Sequence, residues 1–133
     1  MSAVTQGLPV GVDLLVAALT LVGTLRFVVR RHARLRQNGY VNLSLRAERG
    51  DVAGLSGRWT PPHSWFVRDG QIERKGVQVA IAALAEGSRR VTLKESLRMD
   101  ASWAVVLAET THGSVEVAID PHDLDWLRGR LLR

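Results

Sequence analysis

Cysteine is absent from all 133 residues. That removes disulfide frameworks, thiolate zinc sites and cysteine nucleophiles together. Tyrosine and phenylalanine are nearly absent as well, with one and two copies. Nucleic-acid recognition wants basic residues grouped with stacking aromatics on one surface. The tryptophans at 59, 65, 103 and 126 are scattered, so no nucleic-acid partner is expected. No serine sits in a Gly-x-Ser-x-Gly elbow, and Gly54-Leu55-Ser56-Gly57 lacks the lysine and spacing of a phosphate loop. The acids stand singly, with no pair set for acid–base work. The histidines at 32, 63, 112 and 122 form no i,i+3 or i,i+4 pair. A divalent site around His112, His122, Asp120 and Asp123 is conceivable, but a turn histidine and a solvent-facing helix histidine explain the pattern more simply. The expectation is a protein without cofactor, metal or catalysis.

What the chain does contain is an apolar run. Residues 8–29 carry only two charges, Asp13 and Arg26, and 14–25 carry none. As a helix rising about 1.5 Å per residue, this run covers about 33 Å, enough to cross a hydrocarbon core of about 30 Å. A cleaved signal peptide would need a basic N-terminal region, and residues 1–7 have no lysine or arginine. An amphipathic core helix or an interfacial helix would need a polar face, which this run lacks. Five arginines (Arg26, Arg30, Arg31, Arg34 and Arg36) follow or close the run, and none precedes it. The positive-inside rule then puts the N-terminus outside and the C-terminus in the cytoplasm of a plasma-membrane protein.

The same arginines explain the net charge of +5 and the pI near 10.9. Residues 38–133 hold 13 basic and 12 acidic side chains, a net of +1. The five arginines are therefore expected to face anionic lipid headgroups. The chain reads as an extracytoplasmic tail 1–7, a transmembrane helix 8–29, a basic juxtamembrane segment 30–39 and a cytoplasmic β-rich domain 40–133.

Within that domain Asn38-Gly39 ends the preceding helix. Val41, Leu43 and Leu45 alternate with polar neighbours as a strand does, and 48–57 reads as a loop or a weak strand. Asp69-Gly70 between 64–68 and 71–74 predicts a tight hairpin. Residues 77–85 fit either a strand or a helix, with strand favoured. Val91, Leu93, Glu95, Leu97 and Met99 alternate and predict another strand. Runs 103–109 and 114–119 predict a hairpin around Thr110-Thr111-His112-Gly113. Asp120 as N-cap, Pro121 in the first turn and Leu124, Leu127 and Leu131 at helical spacing predict a terminal helix over 121–132. The fold class is one N-terminal transmembrane helix plus a small antiparallel β domain closed by a C-terminal helix. The arrangement is pleckstrin-homology-like, with a split β-sandwich and packed helix as the alternative.

Several short pieces recur in a fixed order: Gly39 with Ser44-Leu45-Arg46, then Gly57-Arg58-Trp59, then the run from Gly113 to Ile119, then Asp125-Trp126-Leu127. In this the chain resembles a family of actinobacterial single-pass membrane proteins of unknown function, whose genes often neighbour the ATP synthase operon. It departs from that family at Asn42, where members often carry a cysteine in the first strand, and over 61–86, which has no clear counterpart. The resemblance implies membrane location and architecture, and no activity.

Function then rests on surfaces. Trp and Arg are enriched at interaction hot spots, which singles out Arg58, Trp59, Trp65 and Arg68 around the Pro61-Pro62 turn as a candidate partner surface. The expected role is a membrane-anchored, non-catalytic interaction or scaffold module that docks a protein or lipid surface. The alternative is an accessory subunit of a larger membrane complex, in which Ala17, Ala18, Thr20, Gly23 and Thr24 let the span pack against other helices.

Overall fold

A computed structural model describes residues 33–132. The tail 1–7, the apolar run 8–29, and Arg26, Arg30 and Arg31 lie outside them. Among the described residues no helix is long and apolar enough to cross a membrane. The chain divides into two compact units, Met1–Leu35 and Arg36–Arg133, and the second is a small antiparallel β domain with a C-terminal helix.

Seven strands form it: β1 (Tyr40–Gly50), β2 (His63–Arg68), β3 (Gln71–Arg74), β4 (Val77–Leu84), β5 (Arg89–Arg90), β6 (Ala104–Thr110) and β7 (Gly113–Ile119). Their order is β4-β3-β2-β1-β7-β6-β5, and β4 also pairs with β6. That extra pairing, Ile81↔Thr110 to Leu84↔Ala108, closes the sheet on itself. β1 is the strand common to both halves. Its residues 40–43 pair with β2 and its residues 43–50 with β7. A register shift between Ala47 and Arg49 bends it, as an extra residue in one strand does. β1 therefore extends through residues 48–50, the start of the segment that the sequence pattern reads as a loop or a weak strand.

Alternation fills the interior. Val41, Leu43 and Leu45 of β1 meet Val67, Ile72, Val79, Val115, Val117 and Ile119 in one core. The 77–85 ambiguity resolves as strand, because Val79 and Ile81 point into that core while Gln78, Ala80 and Ala82 are exposed. Asp69-Gly70 makes the β2–β3 turn, where Gly70 takes φ +74°, a region that penalises any Cβ.

The terminal helix (Pro121–Leu131) starts as the sequence predicts. Asp120 accepts from the His122 N–H at 2.9 Å, and Pro121 occupies the first turn. Leu127 and Leu131 enter the core, with Leu124 and Trp126 packed at its edge. Arg130 ties the helix to β2 by donating to the Val67 carbonyl at 2.7 Å. Arg128 donates to the Glu86 carbonyl at 3.0 Å.

The strand expected over 91–99 is absent. These residues instead form a turn around a short 3-10 helix, Glu95–Leu97. Thr92 and Glu95 cap each other: the Glu95 N–H donates to Thr92 Oγ1 at 3.2 Å, and the Thr92 N–H to Glu95 Oε1 at 3.0 Å. This is the reciprocal Thr-x-x-Glu box that starts helical turns, and it overrides the two-residue alternation. The segment lies over the outer face of β6 and β7. There Met99, Val105 and Ala118 form a second, smaller core with Trp59, Val91 and Trp103 at its margin.

Candidate functional site: a basic cavity over a closed ion ring

The sequence-predicted partner surface separates in the structure. Trp65 is 3% exposed and belongs to the main core, which corrects its assignment to a surface. Its strand places Trp65 opposite Val41, so both rings and methyls face inward. Phe66 takes the outer face instead, with its ring centroid 5.2 Å from that of Tyr40. Arg68 is half-exposed at the β2–β3 turn and pairs with Glu73 at 3.3 Å. Arg58 and Trp59 do come together, on the loop between β1 and β2. That loop is stitched to β1 through Ala47 N–H to the Ser56 carbonyl (2.8 Å) and Thr60 N–H to the Leu45 carbonyl (2.9 Å).

Of the basic exit, Arg34 is exposed, whereas Arg36 is turned onto the domain and forms an ion pair with Asp123 in the first turn of the terminal helix. A carboxylate there already favours the helix N-terminus.

Trp59 sits at the centre of a ring of interactions that the sequence analysis did not anticipate. Arg46 and Glu116 stand directly opposite each other on β1 and β7, and Arg46 Nε donates to Glu116 at 2.8 Å. Arg89 of β5 donates to Glu116 Oε2 at 2.8 Å. Its two terminal nitrogens also grip Glu95 in a two-pronged contact at 2.7 and 2.9 Å. Glu95 then accepts from Trp59 Nε1 at 2.9 Å. The Arg46 guanidinium lies 4.9 Å from the Trp59 ring centroid and closes the circuit through its charge.

Both carboxylates are each only 8% exposed, so unpaired they would be costly. Each is met instead by charge-assisted donors. The hydrogen bond from Arg89 is the largest cause that holds Glu95 down to about 2, against the opposing effect of its burial. Arg89 is pushed above its usual range, chiefly by the same bond.

Over this floor lies a cavity of about 520 Å³, rimmed by Arg58, Lys94 and Arg98. None of these three makes an ion pair among the described residues. Five basic side chains line the cavity against one carboxylate, Glu95. A second hollow of about 600 Å³ lies outside β2–β4, beside Tyr40, Phe66 and Gln78, and has no buried charge beneath it. No group of three or more His, Cys, Asp or Glu among the described residues is placed to hold a metal. His112 is exposed at the β6–β7 turn, and exposed His122 bonds only its neighbour Asp120.

The missed participants were Arg46, Arg89, Glu95 and Glu116. For Glu95 the signal was present in the Thr92-Leu93-Lys94-Glu95 box. Arg46 and Glu116 needed the β1–β7 register and Arg89 the pairing of β5 with β6, which spacing along the chain does not supply.

No family model matches the chain, and neither a curated protein nor a solved structure was found to match it.

Proposed function

We propose that this chain is a single-pass, membrane-anchored, non-catalytic interaction or scaffold module. Its β domain lies on the cytoplasmic side of the plasma membrane and docks an anionic surface through the basic cavity around Trp59. The observation that carries this reading is the locked ring beneath the cavity. A general acid or base works best with a pKa near the operating pH. Glu95 is held near 2 and Arg89 is shifted away from neutrality, so these charges stay fixed. Fixed charges suit recognition: they shape a rigid floor and leave Arg58, Lys94 and Arg98 to meet a partner. The apolar run 8–29 and its one-sided arginines support the anchor and the orientation.

Within the β domain, the pleckstrin-homology-like reading has more support than the split sandwich. The meander β1–β4, the shared and bent β1, and a terminal helix whose leucines enter the core favour it. A fold of this kind says little about function by itself.

A reporter fused after Arg133 tests the topology, together with alkaline carbonate washing of membranes. The reporter should be active only in the cytoplasm and the chain should stay with the membrane. A reporter active outside, or a chain stripped by carbonate, overturns the reading. Purification in mild detergent separates it from the accessory-subunit alternative. Stoichiometric partners that remain with an Arg58→Glu variant, but leave when the small residues of the span are enlarged, would favour the accessory subunit.

A further inference from the structure

The segment that carries Lys94 and Arg98 also carries two leucines that the fold leaves bare. Leu93 is 88% exposed and Leu97 84%. Single exposed apolar residues are ordinary, but two of this size within one turn are not. Their placement follows from the helical backbone. The short 3-10 turn at Glu95–Leu97 and its Thr92–Glu95 box set which side chains face the domain. Leu93 and Leu97 therefore point out, while Glu95 and Met99 point in and are buried. The inward pair fixes the turn from below, Glu95 through Arg89 and Trp59, and Met99 through the second core. The leucines are thus held away from the domain on a braced platform.

We infer that this loop is a membrane-contacting prong. Leu93 and Leu97 enter the interface of an anionic bilayer, and Lys94, Arg98 and Arg58 take lipid phosphates at the level of the cavity. This rests on the reading that residues 8–29 anchor the chain in a bilayer. Charge complementarity selects the lipid surface. Between Glu86 and Asp100 the only acid is Glu95, which Arg89 neutralises, whereas Arg90, Lys94 and Arg98 remain for a partner. Leucines rimmed by cations are the composition that binds an anionic interface. Reach permits it, because residues 30–39 can extend no further than about 35 Å from the end of the apolar run.

The absence of native cysteine gives a clean test with the full chain. Single variants Leu97→Cys, Ser96→Cys and His112→Cys take a fluorophore and are reconstituted in nanodiscs of phosphatidylcholine with phosphatidylglycerol, some lipids bearing a shallow nitroxide. β6 runs from Ala104 beside the prong to Thr110 beside His112, so the labels report opposite ends of a strand. Ser96→Cys leaves both leucines in place. Labels at 96 and 97 should be quenched severalfold more than the label at 112. Each basic contact with an anionic surface is worth about a factor of five in occupancy. Lys94→Glu with Arg98→Glu should therefore lower the docked population about tenfold or more, and high salt should lower it too. Equal quenching at 96, 97 and 112 in chains retained by the disc overturns the prong and leaves the anchor standing. Labels that lipid does not quench, yet that native membranes shield from aqueous iodide, assign the leucines to a protein contact and also overturn it. Chains not retained by the disc overturn the anchor and the prong together.

Discussion

Arg36 and Asp123 lie 87 positions apart in sequence and form one ion pair, which joins the beginning of the β domain to the first turn of its last helix. Asp123 is buried and the Arg36 side chain is about one-third exposed. The pair holds the segment before β1 against the helix that completes the core.

A double-mutant cycle with Arg36→Ala and Asp123→Asn should give a coupling of about 1 kcal/mol, since a charge-assisted contact of this burial exceeds an exposed surface pair. Denaturant unfolding followed by tryptophan fluorescence reads it. Strict additivity of the two single variants would show that the pair holds nothing.

Glu95 makes stability depend on acid. Its folded pKa of about 2 lies below the ordinary 4.5, with the Arg89 hydrogen bond as the first cause. A depressed carboxylate contributes stability above its unfolded pKa and loses it as pH falls through the folded value. The window is therefore about pH 4.5 down to 2. At pH 7, Glu95→Gln should cost on the order of 2 kcal/mol, after some screening of the partly exposed Arg89. The difference from wild type should shrink toward pH 2. A gap of constant size across that window would refute the linkage.

Gly113 tolerates no side chain. A Cβ there would lie 1.9 Å from the Arg49 carbonyl oxygen, a backbone atom that cannot turn aside. Gly113→Ala should destabilise the domain by roughly 2–4 kcal/mol, in the range of severe packing and strain defects. Gly87→Ala, whose Cβ would meet nothing within 4 Å, should stay within about 0.5 kcal/mol of wild type. Equal thermal midpoints for the two variants would contradict this contrast.

The terminal helix contributes through its inner face. Leu127 is fully buried and Leu132 is mostly exposed. Leu127→Ala should cost about 2–5 kcal/mol and Leu132→Ala about 0.5 kcal/mol or less. Chemical unfolding of the two variants side by side checks the ranking, and a larger loss at Leu132 would reverse the assigned face.

Local chemistry was legible where it acts locally. Asp69-Gly70 specified its turn and Asp120-Pro121 its helix start, because each signal sits within a few residues of the structure it dictates. Residues 91–99 misled because alternation and helical spacing share positions. Read by twos, Leu93, Glu95 and Leu97 fall on one face. Read as a helical turn, the leucines oppose Glu95, and the Thr92–Glu95 box decides for the turn. Trp65 was ambiguous for a different reason. It adjoins Phe66 and Val67 in an apolar run, and only pairing with Val41 fixes which of them turns inward. Beyond the Thr92–Glu95 box, the ion ring was illegible, because its members come from β1, the β1–β2 loop, β5, β7 and the 3-10 turn.

The β4–β6 pairing has a consequence for how copies of this domain behave beside one another. Unpaired strand margins are templates on which foreign strands can add. Here β6 divides its outer margin between β4 and β5, and β1 gives the remainder of its own to the loop that carries Trp59. The last strand in the series, β5, consists of two arginines, both exposed. A template that short and that positive repels its own kind. Crowding such domains together should therefore not extend the sheet by strand addition at β5.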